Sequence, residues 1–239
     1  GAASANSTTC SVVLDDTTVV LGGGKGESLD GQAFGLYGRG NLANGGGGGN
    51  SRAAGGGGGA AAGAGGLGGT EISSCGLDDG TRGFGGAAVH RRAMEVLALG
   101  GGGGGGHNDG NGGSPGASGG GAIILQGSVL SGQGRIASNG ANAANANDGA
   151  GAGGGGGTIV LRFLSTTFAG TVEARGGEGG DAATSGTGPG GGGGGGRISA
   201  AGLLSTAGVI TFDVEGGLNG SALADPRGSA PGSPGALEL

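Results

Sequence analysis

The chain has 239 residues, 76 of them glycine, and a formal net charge of −6. A glycine fraction near one third suggests collagen, yet the glycines here come in solid runs and prolines number only 5, so the strict G-x-y repeat of a triple helix is excluded. Charged residues make up 12%, which excludes a charge-rich disordered chain, and one lysine with scattered arginines excludes the clustered cationic face that nucleic acid requires.

Residues 1–21 read as an N-terminal strand or arm, with residues 11–21 (SVVLDDTTVVL) forming a strand pair or one long strand. The chain starts Gly1-Ala2-Ala3 without methionine, as expected after removal of a secretion signal. Cys10 and Cys75 lack C-x-x-C or Cys/His spacing; they fit a single disulfide in an oxidising compartment, with two buried free thiols as the alternative. Residues 22–86 form a glycine-rich region with solid runs at 45–49 and 55–59 and a near-continuous one at 63–69. No stretch approaches the roughly 18 consecutive apolar residues of a membrane span.

Residues 87–217 carry an internal repeat. A glycine followed by an apolar segment recurs at Gly86-Ala-Ala-Val89, Gly121-Ala-Ile-Ile124, Gly157-Thr-Ile-Val160 and Gly196-Arg-Ile-Ser199, at steps of 35, 36 and 39 residues. Each start is followed by a second segment that ends on glycine: 95–100, 135–140, 171–176 and 211–216. Val172 and Ala174 alternate with Glu173 and Arg175, and Phe212 and Val214 with Asp213 and Glu215, the period of a half-buried strand. A weak amphipathic helix over 87–99 is the competing reading of the first copy, and the repeat register favours two strands. Residues 218–239 read as a C-terminal arm, rich in Ser, Ala and Pro near its end.

Glycine-dominated returns of similar length separate the copies, and three such loops in one compact domain must be ordered by something. A glycine run has no side chains with which to satisfy its amides, and glycine loses the most entropy on being fixed. The state that offsets both is a bundle of extended threefold helices whose backbones approach and bond to one another. Ala60 to Ala62, Asn142 and Asn145 are expected on outward positions or turns, with Pro115 and Pro189 at bends. The expected fold is therefore all-β, stacked short strands in solenoid- or sandwich-like repeats of about 36–39 residues beside a polyglycine II bundle, with little or no α-helix.

Titratable groups are too sparse for a catalytic constellation, so no enzymatic activity, catalytic residue or cofactor is assigned. His107 beside Asp109 is a candidate single arm of a metal site, against a solvated turn. Gly176 to Thr184 (GGEGGDAAT) fits one copy of the calcium nonapeptide GGxGxDxUx, without the stacked copies that complete a calcium shell. Lys25 lies in a glycine run without the Gly-Lys-Ser/Thr ending of a phosphate loop, and Asp15-Asp16 and Asp78-Asp79 read as loop charges. Phe34, Tyr37 and Phe84 form the one aromatic group suited to recognition.

The cycle GGG-A-I-I-L…G-R-I-A-S-N-G, followed by the run at 153–157 and T-I-V-L, resembles glycine-rich repeat proteins secreted or displayed by Gram-negative bacteria. It is also similar to polyglycine II folds such as phage tail-fibre tip adhesins, although solid glycine runs depart from the G-x-x triplet of the antifreeze members. The resemblance covers residues 86–217. Open strand edges joined to rigid glycine sheets lead to the expectation of an extracellular or cell-surface structural protein whose partner is itself: a filament, sheath or layer subunit linked through its arms. Donation of residues 11–21 to a neighbour's edge is the sharper form, and pairing within its own subunit the alternative. An adhesin that binds a receptor through turns at the ends of the glycine helices is the second expectation.

Overall fold

The computed structural model describes residues 1–5, 8, 10, 13–17, 22–30, 35–71, 80–90, 95–200 and 209–239. Among them are seven strands and no helix: β1 (Ala122–Leu130), β2 (Gln133–Ala137), β3 (Thr158–Thr166), β4 (Ala169–Glu173), β5 (Arg197–Ser199), β6 (Ile210–Asp213) and β7 (Ala236–Glu238). All pairings are parallel, in two sheets ordered β1-β3-β5-β7 and β2-β4-β6. The chain is thus a β-solenoid of about three turns, all-β as the repeat implied. Each turn passes through one strand of each sheet, then runs out and back through glycine.

Identical register in successive turns stacks like on like. Ile123, Ile159, Ile198 and Leu237 form one ladder, and Ile136, Val172 and Phe212 another. Ile159, Leu161, Phe168, Val172, Ala174, Ile198 and Ala200 are the buried centre of the strand layer, with Ile123, Leu125, Ile136 and Phe212 packed on it. Val172 and Ala174 face this core as their alternation predicts. On the outside, Arg135 pairs with Glu173 and Arg175 lies 3.5 Å from Asp213, ion pairs that bind adjacent turns weakly in water.

The glycine returns make a second layer with almost no side chains. Residues 54–60 show its plan. Gly55 and Gly58 donate to Gly69 and Gly66, Gly56 and Gly59 to Ala150 and Gly153, and Gly57 and Ala60 to Gly47 and Asn44. The carbonyls of the same segment accept from Gly83 and Gly86, from Gly191 and Gly194, and from Gly101, Gly104 and His107. Donor direction repeats every third residue, and six segments surround one. That is the hydrogen-bond pattern of polyglycine II, with three residues per turn. A Cβ on Gly58 would lie 2.0 Å from the Gly192 carbonyl oxygen, so the spacing itself requires glycine there. Segments from 22–86 and from the later returns share this one bundle.

Several sequence expectations are revised by this arrangement. The first repeat copy, 86–89 with 95–99, forms no strand among its described residues, because Ala87 and Val89 donate to bundle carbonyls of Ala43 and Ala61 instead. The expected C-terminal arm completes a further turn: residues 230–235 run beside 188–196, and β7 pairs with β5. Described residues 13–16 pair inside the chain, Asp16 with Tyr37 and Val13 and Leu14 with Arg39 and Gly40, as the own-subunit alternative holds. Ala60 is fully buried rather than outward, and Pro115 and Pro189 lie in extended segments rather than bends. A ring that fixes φ near −65° suits a threefold extended helix, provided that the missing N–H is not needed.

Gly58→Ala is expected to cost about 3 kcal/mol or more, since neighbouring backbones cannot give way. Gly121→Ala, where nothing lies within 4 Å of an added Cβ, is expected to stay within about 0.5 kcal/mol of the parent. Urea titration of both variants measures the contrast.

Candidate assembly edge and turn-end cleft

Outward and return segments are joined by turns that gather at one end of the bundle. Residues of four of these turns, Arg52 and Ala53, Asp109 and Asn111, Asn147 and Asp148, and Thr184 and Thr187, line a cleft of about 620 Å³. Arg52 and Ala53 both have positive φ, 29° and 68°, a strained conformation for residues with side chains. Asp148 organises the longest of these turns: its buried Oδ2 accepts from the backbone N–H groups of Asp109 (3.1 Å), Asn111 (2.8 Å) and Gly112 (3.1 Å). Burial, and then the adjacent Asp148, pushes the Asp109 carboxyl above its ordinary range.

His107 is not in a solvated turn. It is completely buried, and its Nδ1 accepts from the Ala53 N–H at 3.2 Å. The ring is therefore neutral with its hydrogen on Nε2, which has no acceptor among the described residues. Burial lowers its pKa from 6.5 to about 4, against the opposing pull of Asp148. Among the described residues no group of three or more His, Cys, Asp or Glu is placed to hold a metal. Asp181 of the nonapeptide accepts from the N–H and Oγ of Ser221 in the next turn, so its carboxylate acts as a rung between turns.

The remaining singled-out residues are dispersed. Lys25 is buried and ion-paired with Asp15. Tyr37 lines a hollow with Lys25, Leu36 and Leu42, whereas Phe84 lies under the Arg39 guanidinium, 4.3 Å from ring centre. Phe34, Cys75, Asp78 and Asp79 lie outside the described residues, and Cys10 is disulfide-bonded.

The two ends of the stack differ. At the near end β1 is an edge strand of nine residues with no outer partner among the described residues. The Thr158 N–H donates to the Gly121 carbonyl, so the parallel ladder turns the backbone groups of 123, 125 and 127 towards β3 and those of 122, 124 and 126 outward. Ile124 and Val129 are 57% and 56% exposed. Beside β2 the same end shows an asparagine ladder. Oδ1 atoms of Asn139, Asn142 and Asn145 accept from the N–H groups of Arg175, Glu178 and Asp181 at 2.8, 2.9 and 2.9 Å, each 36 residues later. Asn142 and Asn145 are exposed, as expected, but serve as rungs rather than turns.

At the far end proline replaces the donors. Gly153 and Gly156 donate to Gly191 and Gly194, and Gly192 and Gly195 to Ala230 and Ser233. Carrying that register one turn on places the next donors at 231 and 234, which are Pro231 and Pro234. The Ala222 N–H is turned onto Asp225, and β7 has three residues; Gly216 and Asn219 keep outward N–H groups without an acceptor among the described residues. Sequence reasoning missed this end, although the signal was present: Gly235-Ala-Leu-Glu238 lies 39 residues after Gly196-Arg-Ile-Ser199.

Between pH 6.5 and about 4 the unfolded chain binds a proton at His107 that the folded chain refuses. Stability is expected to fall by roughly 3 kcal/mol as pH drops through that window and to level off below it; urea midpoints for the parent and the non-titrating His107→Gln variant check this. Asn142→Ala is expected to cost about 1 kcal/mol and to speed amide exchange at Glu178, read by hydrogen-exchange NMR. No family model, curated protein or solved structure matches the chain.

Proposed function

We propose that the protein is an extracellular structural component, a rigid building block of a bacterial surface filament, sheath or layer that associates with copies of itself. The exposed nine-residue edge of β1 carries this reading. A long apolar edge is a template for another chain unless it is blunted by charge, proline or a cover, and β1 (AIILQGSVL) has neither charge nor proline. Rigidity comes from the bundle, whose amides are bonded to one another and resist local opening. The disulfide at Cys10 fits an oxidising compartment, and the resemblance to secreted glycine-rich repeat proteins of Gram-negative bacteria points the same way.

A second reading, an adhesin, is favoured by the cleft at the turn end, where strained backbone at Arg52 and Ala53 borders polar side chains. Such a protein would stay monomeric or form a small closed oligomer and bind its receptor through these turns. Electron microscopy of the purified protein at rising concentration distinguishes the two: regular polymers are expected, and uniform monomers or small closed oligomers throughout would overturn the structural reading.

A further inference from the structure

We infer that one of the contacts between copies is two-fold, with β1 of one copy pairing antiparallel to β1 of a second about an axis through Gln126. The inference rests on the self-associating function proposed above and specifies its geometry.

Head-to-tail growth would set β7 and the 230–235 segment of one copy against the near end of the next. The far end is poorly equipped for it. Pro231 and Pro234 occupy the two positions whose N–H groups would continue the bundle, the Ala222 N–H is already satisfied by Asp225, and the strand edge is three residues long. Proline at an outward donor position is a recognised way of ending a hydrogen-bonded edge. The solenoid is therefore terminated at one end and open at the other.

An open end facing a terminated one leaves the open end to meet itself. Two copies of one edge related by two-fold symmetry pair antiparallel, and each surface is its own complement. Gln126 exchanges a donor and an acceptor with Gln126 of the other copy, and the outward groups of Ile124 meet Ser128, the one residue of β1 without a register partner in β3. Centring the axis on Gln126 brings Ile124 of each copy, 57% exposed in the single chain, against the strand of the other. The two four-stranded sheets then join as one continuous sheet, and the asparagine ladder lies beside the junction.

Gln126→Cys tests this directly. Residue 126 would face itself across the axis, with Cβ atoms about 5 Å apart, and no described cysteine of the parent is free to compete. Mild oxidation is expected to give a disulfide-linked dimer of the intact chain in high yield. Gln126→Pro removes one outward N–H per copy, leaves every β1–β3 bond in place, and is expected to raise the dimer dissociation constant by about tenfold or more. Sedimentation velocity measures that constant, and an unchanged urea midpoint at low concentration shows that the variant folds. Open-ended polymers of the parent, with no cross-link at residue 126, would overturn the two-fold contact while leaving self-association standing. A parent that is monomeric at every concentration would overturn both.

Discussion

Peptide groups bonded to peptide groups, across gaps too narrow for a Cβ, hold this molecule together. Residues 54–60 are ringed by six other segments, and the amides of 55–60 find carbonyls on three of them in threefold rotation. The constraint is steric before it is energetic. At Gly58 an added methyl would fall 2.0 Å from the Gly192 carbonyl oxygen, so composition follows from spacing. The entropy lost in fixing so much glycine is offset because buried amides such as those of residues 55–60 each find a carbonyl. A few alanines, Ala54, Ala60 and Ala152 among them, are fully buried inside the bundle.

The strand layer does what the bundle cannot. Glycine helices related by small shifts are nearly equivalent, so they specify register poorly. The ladders Ile123-Ile159-Ile198-Leu237 and Ile136-Val172-Phe212 fix it, because a one-residue slip would turn an apolar set into water. Asn139, Asn142 and Asn145 lock the adjoining glycine segment to the same step of 36 residues. Side chains therefore set which turn lies on which, and backbone supplies most of the cohesion.

Apart from β7, the strands were legible in the sequence where their partners are other strands. The period-2 alternation at 171–175 and the glycine at each start located β3, β4 and β6 within a few residues. The first copy failed for a reason that local pattern cannot show: Ala87 and Val89 have bundle carbonyls beside them instead of a strand. The C-terminal turn was hidden by its prolines, which read as loop punctuation, yet a threefold extended helix accepts proline at an outward position. His107 reads as solvated because it adjoins Asn-Asp-Gly, whereas the fold buries it and sets the Ala53 N–H on its Nδ1. The cleft residues come from turns far apart in the chain, so no linear motif announces them.

The near absence of hydrocarbon from the bundle has a thermal consequence. Melting it would expose amide groups rather than apolar surface, and amide exposure lowers heat capacity where apolar exposure raises it. The stability curve of this protein is consequently flatter than its chain length implies, with an unfolding enthalpy that changes slowly with temperature. A scaffold built in this way keeps its strength in the cold, where proteins that depend on oily interiors begin to weaken.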